Sequence, residues 1–240
     1  MSGGATAGEV WAAFWNLDHS IYVSPKHLAA HFRRIGTDII ALLDGRTRPR
    51  VLDYGCGDAL AAPQLAAAGI ALSLYDAVPA VAERLRARVG DIAGLRVLDH
   101  ASFDALPAAS FDVIVVNSVA QYMSPAELGL LLNRFRRLLA PGGEVILGDV
   151  IPPDAGMAAD VGSLLRSAAG NGFLLAALMG LVRTIFSDYR RLRQQVGLTT
   201  YREGDIIALC RAHGLQARRA PRNIGFNQHR MTIRASVGVA

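Results

Sequence analysis

The segment Val51-Leu52-Asp53-Tyr54-Gly55-Cys56-Gly57-Asp58-Ala59 concentrates the chemistry of this chain. Gly55 and Gly57 are spaced for a tight turn, with Cys56 between them, and their bare backbone allows a ligand to come close. A turn of this kind after an apolar run suits a nucleotide-like cofactor. The carboxylate of Asp53, two residues upstream, selects among such cofactors, because it repels a pyrophosphate and attracts an ammonium group. A dinucleotide fingerprint would also want a third glycine near Leu60. A cationic cofactor is therefore expected here rather than NAD. Other reactive residue types are sparse. Cys56 and Cys210 form no Cys-x-x-Cys pair and are expected to stay reduced. His27-Leu28-Ala29-Ala30-His31 puts two imidazoles on one helical face, without the glutamate of a zinc-protease helix or an evident third ligand, so no metal is expected.

Positioning that turn requires an alternating chain. Arg50 to Tyr54, Ala71 to Tyr75, Leu95 to Leu98, Phe111 to Asn117 and Glu144 to Gly148 read as strands whose apolar runs suit a parallel sheet covered on both faces. Ala59 to Ala68, Pro79 to Val89 and Ser124 to Leu139 carry helical periodicity between them, and Ser124-Pro125-Ala126-Glu127 is a helix-start signal. The alternation predicts an α/β, Rossmann-like, doubly wound and mostly parallel sheet. Pro141-Gly142-Gly143 reads as the break that opens the fifth strand. Glu9 to Trp15 and Pro25 to Leu43 read as a helical N-terminal cap. Ala158 to about Arg193 reads as a helical insertion before a closing helix, Asp205 to His213, and two last strands near Leu215 to Ala220 and Arg230 to Ser236. One domain is expected over residues 1–240: cap 1–45, cofactor-binding core 46–152, insertion 153–200 and closing elements 201–240.

Composition sets the outer bounds. With 240 residues, 52% hydrophobic, 19% charged and a mean hydropathy of +0.28, the chain can bury a sizeable core, which excludes disordered and collagen-like classes. The start, MSGGATAGEV, has neither a basic nor an apolar leader segment, so a cytoplasmic location is expected. The longest apolar run, Gly172 to Val182, stops at Arg183, short of a bilayer span. The last sixty residues hold eleven Arg against three acids, about +8, and the rest sums to about −3, giving the net +5. That excess is either a solvated face or an attraction for phosphate, nucleic acid or an anionic membrane.

The Asp53-x-Gly55-x-Gly57 motif resembles the first motif of the class I S-adenosylmethionine-dependent methyltransferases, and the resemblance extends over about Arg50 to Pro152. It implies the seven-stranded methyltransferase fold, S-adenosyl-L-methionine as cofactor, and Asp53, Gly55, Cys56 and Gly57 around its methionine part. It also implies Asp76, at the end of the second strand, as the ribose ligand, with Ala77 beside the adenine. The family's third position usually carries an acid for the adenine amino group. Here Ser102 stands there, Phe103 is expected to pack on the ring, and Asp99 or Asp104 is the alternative acceptor. Asn117-Ser118-Val119-Ala120-Gln121-Tyr122 resembles the fourth-strand motif and implies Asn117, Ser118 and Tyr122 at the cofactor. This ending is similar to small-molecule methyltransferases and lacks both the Pro-Pro-aromatic and the Pro-Cys signatures of DNA enzymes, so no DNA partner is expected and RNA is disfavoured.

Methyl transfer from a sulfonium is an in-line displacement that needs position and dryness more than a protein nucleophile. A general base serves a hydroxyl or ammonium acceptor, and His19, Tyr22, His27, His31, Tyr122, Asp149 and His229 are candidates. His229 and Asp149 are favoured as strand-end residues and Tyr22 as a contact from the cap. Asn171 to Phe186, apolar and followed by Asp188-Tyr189-Arg190-Arg191-Leu192-Arg193, suits a lipophilic acceptor, a peripheral membrane contact, or a core or homodimer helix. The expected activity is methylation of an O, N or C atom of a small, lipophilic biosynthetic molecule. The alternatives are RNA or protein methylation through the basic C-terminal third, and a cofactor-binding scaffold without catalysis.

Overall fold

The computed structural model describes residues 25–43, 45–155 and 197–238. Tyr22, His19, the helix expected at 9–15 and the apolar segment 171–186 lie outside them, as do the side chain of His27 and the greater part of the expected insertion. Seven strands, β1 (Arg50–Tyr54), β2 (Ala71–Tyr75), β3 (Leu95–Leu98), β4 (Phe111–Asn117), β5 (Leu139–Val150), β6 (Leu215–Arg219) and β7 (Met231–Val237), form one sheet in the order β3-β2-β1-β4-β5-β7-β6. The first five run parallel, and β7 is antiparallel to both β5 and β6. The order reverses between β1 and β4, where sheets of this kind open a crevice at the carboxyl ends of their strands. This is the Rossmann-like methyltransferase fold.

Helices α1 (Pro25–Leu42), α2 (Ala62–Ala67), α3 (Pro79–Val89), α4 (His100–Asp104), α5 (Pro125–Leu138) and α6 (Glu203–Ala212) cover the sheet. Alternation along β4 shows why both faces need cover. Ile114 and Val116 pack with Leu128, Leu132, Phe135 and Leu138 of α5, while Val113 and Val115 pack with Ile39 of α1, Leu65 of α2 and Leu85 of α3. Helix α5 begins with a reciprocal cap: Glu127 N–H donates to Ser124 Oγ, and Ser124 N–H donates to the Glu127 carboxylate. A long-range tie joins the first helix to the closing loop, since Asp38 of α1 accepts from Gly225 N–H at 2.9 Å and from Arg34 at 2.7 Å.

Three local readings differ from the sequence expectation. Helix α2 starts at Ala62 rather than Ala59, because Ala59 takes a φ of +42° and prolongs the glycine turn. Strand β5 begins at Leu139 and runs through Pro141-Gly142-Gly143, with a register shift opposite Phe111 and Val113 taking up the irregularity. Helix α4 is an added turn, nucleated by Asp99, whose carboxylate accepts from Ser102 N–H at 2.8 Å. Among the described residues no helix is long and apolar enough to cross a membrane.

Phe135 is fully buried and meets Tyr54 edge-on at 5.1 Å between centroids. Replacing it with alanine removes that contact and leaves a cavity between α5 and β1. Phe135→Ala is expected to lose about 3–5 kcal/mol of unfolding free energy in urea denaturation.

Candidate active site

The crevice is built on the tips of β1, β2, β4 and β5. Past Tyr54 the backbone turns sharply, Gly55 at φ +69° and Gly57 at φ +53°. Two amides of this turn, Gly55 N–H and Cys56 N–H, donate to Tyr75 O at 2.8 and 3.2 Å, which pins the turn to the end of β2. A Cβ on Gly55 would lie 2.6 Å from Val119 Cγ2, so the turn also rests on the loop after β4. Glycine is required there twice over, by conformation and by space.

Asp76 follows β2 and is half-buried. Its Oδ2 accepts from Gly57 N–H and its Oδ1 from Val78 N–H, each at 2.9 Å, so it both braces the glycine turn and fixes the residue that precedes α3. Each oxygen keeps a lone pair for a ligand hydroxyl. Burial raises its carboxyl above the usual range against the pull of those two amides. Ala77 beside it is exposed.

Asp53, at the end of β1, differs in kind. Its carboxylate has no hydrogen-bond or ion-pair partner among the described residues, and burial together with the charge of Asp76 pushes it up to about 7. An unpartnered, desolvated carboxylate beside a second one is unfavourable until a cation joins them. Cys56 lies in the same shell, and burial drives its thiol well up, so it is neutral and unsuited to nucleophilic attack.

The floor of the crevice comes from β4 and β5. Ser118 and Asp149 hold positive φ angles of 59° and 60°, rare for such residues. Their side chains explain how the strain is held. Ser118 Oγ donates to Asp149 Oδ2 at 2.8 Å, Arg230 Nη1 donates to the same oxygen at 2.6 Å, and Asn223 Nδ2 reaches Oδ1 at 3.4 Å. Asp149 was expected as a base. In the structure three donors occupy its carboxylate, which burial raises and Arg230, Ser118 and Asn223 pull back, and these contacts hold the turn. Asn117 donates to Ser118 Oγ at 3.3 Å, while its Oδ1 is buried without a partner among the described residues. Gln121 Nε2 donates to Ser118 O at 2.7 Å from a 3-10 turn, Ala120–Tyr122, which sets Tyr122 half-buried at the rim.

Two more expectations meet the structure differently. Phe103 is 2% exposed, stacked on Tyr75 at 4.0 Å with the Arg134 guanidinium 3.9 Å from its ring centre. It belongs to the core and offers no ring face to a base. Ser102 is half-buried on α4, its amide on Asp99, and both neighbouring acids are engaged, Asp99 with Arg86 at 3.2 Å and Asp104 with Arg134 at 2.7 Å. His229 lies two residues before β7, at the mouth end of the sheet, exposed, and among the described residues only its backbone amide is bonded, to Asn227. Arg230 and Asn223 went unnoticed in the sequence, because their partner Asp149 is 81 and 74 positions away and nothing local marks the pairing. Val119 stood inside the recognised motif, yet its role as a stop for the glycine turn needs coordinates.

A methyltransferase domain family matches residues 13–219, and the chain belongs to it. Its fold is similar to that of magnesium protoporphyrin IX methyltransferase ChlM from Synechocystis PCC 6803 with bound S-adenosylmethionine, at TM-score 0.62 and 13% identity over 99% of this chain and 100% of that one. It is also similar to an S-adenosylmethionine-dependent methyltransferase from Aquifex aeolicus, at TM-score 0.58 and 13% identity over 90% and 94% of the two chains. The CurJ carbon methyltransferase matches at TM-score 0.56 and 17% identity over 87% of this chain and 54% of that one. The protein is an S-adenosylmethionine-dependent methyltransferase, and the unpartnered Asp53 beside a glycine turn fits a cofactor that carries an ammonium group.

Three measurements follow from Asp53 and Gly55. The folded chain retains a proton on Asp53 that the unfolded chain releases near 3.8, so stability falls as pH rises from about 4 to about 7, and Asp53→Asn flattens that slope in urea titrations. A bound ammonium group restores the ionised form, so calorimetry of S-adenosylhomocysteine at about pH 6 in two buffers is expected to show proton release, absent in Asp53→Asn. Gly55→Ala, strained at φ +69° and crowding Val119, is expected to weaken S-adenosylhomocysteine about tenfold or more in the same calorimeter.

Proposed function

We propose that this enzyme methylates an oxygen, nitrogen or carbon atom of a small, lipophilic biosynthetic molecule. The observation that carries the reading is the Asp53–Asp76 pair set around the Gly55–Gly57 turn, which suits a small cationic nucleoside. Asp53 would hold the ammonium group, with Cys56 packed against the methionine part, and Asp76 would accept the ribose hydroxyls. Ala77 and Ser102 would flank the adenine, and Asn117, Ser118 and Tyr122 would close the crevice from β4. When bound, S-adenosylmethionine supplies a methyl group on a positively charged sulfur. The chain's own task is to orient that group, exclude water and receive any proton the acceptor sheds.

Support for a lipophilic acceptor comes from a cavity of about 340 Å³ lined by Leu28, Ala29, Phe32, Arg33, Leu60 and Gln64, between α1 and the segment that follows the glycine turn. Its volume falls in the range of small-molecule sites, and its walls are mainly apolar. His229 is the favoured proton acceptor for a hydroxyl or ammonium substrate, since its imidazole has no partner among the described residues and stands at the mouth end of the sheet. Tyr22 remains the candidate contact from the cap.

Calorimetry with S-adenosylhomocysteine is expected to show binding to the wild type, with Asp53→Asn and Asp76→Asn each weaker by about tenfold or more, and no binding of NADH. Labelled methyl groups offered with cell extract should enter an organic-extractable small molecule. Label recovered only in RNA or protein would overturn the substrate reading, and cofactor binding with no labelled product would favour a non-catalytic scaffold. His229→Asn is expected to lower kcat, with S-adenosylhomocysteine affinity unchanged in calorimetry.

A further inference from the structure

At the opposite end of the sheet from the crevice, a second cavity of about 480 Å³ is lined by Arg46, Glu144, Arg211, Gln216, Arg218 and Arg234, among others. Glu144 and Asp149 lie five residues apart on β5, so the cavity lies about 17 Å along the strand from the crevice floor. Four guanidinium groups face one carboxylate. Glu144 is 4% exposed and accepts from Arg234 Nε at 2.7 Å, Arg234 Nη2 at 2.5 Å and Arg46 Nη2 at 3.1 Å. Its single charge is thus divided between two arginines and holds both in place. Arg211 and Arg218 are exposed and have no partner among the described residues.

The ladder makes this excess unusual. Arg218 of β6 stands directly opposite Arg234 of β7, and like charges in that position weaken a strand pair. The neighbouring Arg219 points the other way and is paired with Glu203 of α6 at 3.0 Å. One face of β6 is therefore neutralised and the other, toward the cavity, is not. A concave wall concentrates the field of such a cluster, and guanidinium forks match the oxygens of a phosphate two at a time. The volume is in the range of a small ligand.

We infer that this cavity binds a small, multiply charged, phosphate-bearing ligand through Arg46, Arg211, Arg218 and Arg234, with Glu144 as the residue that orients two of them. The site is separate from methyl transfer and does not rest on that reading. Arg211 and Arg218 are the arginines that a ligand would complete, and Arg218–Arg234 is the repulsion it would relieve.

The test uses the full chain, sodium pyrophosphate as probe and sodium chloride at equal ionic strength as control. Calorimetry is expected to show saturable pyrophosphate binding that weakens with added salt, and thermal melts should shift upward with pyrophosphate but not with chloride. Arg211→Ala/Arg218→Ala is expected to bind pyrophosphate at least about tenfold more weakly, and Arg211→Lys/Arg218→Lys to fall between. S-adenosylhomocysteine affinity should be the same in all three proteins, which keeps this result apart from the cofactor site. Equal pyrophosphate affinity in the wild type and the alanine pair, or heats no larger than those of chloride, would overturn the inference. Co-sedimentation with phosphatidylcholine vesicles, with and without phosphatidic acid, separates the sources. Capture by phosphatidic acid that pyrophosphate displaces identifies a lipid headgroup. Pyrophosphate binding without capture identifies a soluble ligand. Binding of single-stranded RNA that pyrophosphate fails to displace, in a chain that does not bind pyrophosphate, would assign the cluster to nucleic acid and also overturn it.

Discussion

Two carboxylates brought together out of bulk water, Asp53 and Asp76, are the constraint on which the crevice depends. Adjacent parallel strands in fixed register bring their ends side by side, and the register is set by burial on both faces rather than by the acids themselves. Asp76 is stabilised in place by two amides of the turn it faces, and Asp53 has nothing comparable. The fold thus carries an electrostatic imbalance that a positive ligand corrects. A phosphate-bearing cofactor would deepen it. The same arrangement makes the glycine turn a charge-selective element, since its conformation and its neighbour's charge are fixed together.

The strained pair behind it gives the crevice its floor. Ser118, just past β4, and Asp149, one residue before the end of β5, hold a conformation that side chains larger than glycine seldom adopt, and one ion pair and two hydrogen bonds to the Asp149 carboxylate keep them there. Burying that carboxylate is favourable only because its partners are present, and loss of one partner from such a pair costs about 3–5 kcal/mol. The carboxylate that the sequence offers as a general base is thus engaged by Ser118, Arg230 and Asn223.

Most of the architecture was legible because it follows from short-range patterns. The boundaries of β1 to β4 and of α3 coincide with runs of apolar residues and with Pro79, signals that depend on burial and backbone geometry alone. Pro141-Gly142-Gly143 misled because a bulge can absorb a proline at a strand's start, which is a matter of what the neighbour does. Helix α4 is too short for periodicity to mark, and its cap, Asp99, reads equally well as a ligand acid. At the site, Asp53, Asp76 and the glycines could be found from spacing, but Phe103 could not be placed, because whether a ring is core or contact depends on Tyr75 and Arg134 closing over it. The Asp149 cluster was illegible for the same reason. Its members are scattered over 114 residues, from Asn117 to Arg230, and only the antiparallel return of β7 assembles them.

The bond from Gly225 to Asp38 ties the first described helix to a loop 187 positions away. That loop contains Asn223, whose amide holds Asp149, and the helix contributes Leu28, Ala29 and Phe32 to the wall of the apolar cavity. Wall and floor are consequently joined through one loop by two hydrogen bonds, and packed interiors transmit displacement rather than absorbing it. A bulky guest that pushes α1 outward would tug on the strained tip of β5. Cavity wall and β5 tip therefore share one hydrogen-bonded path, although Asp38 and Asp149 stand 111 positions apart in the chain.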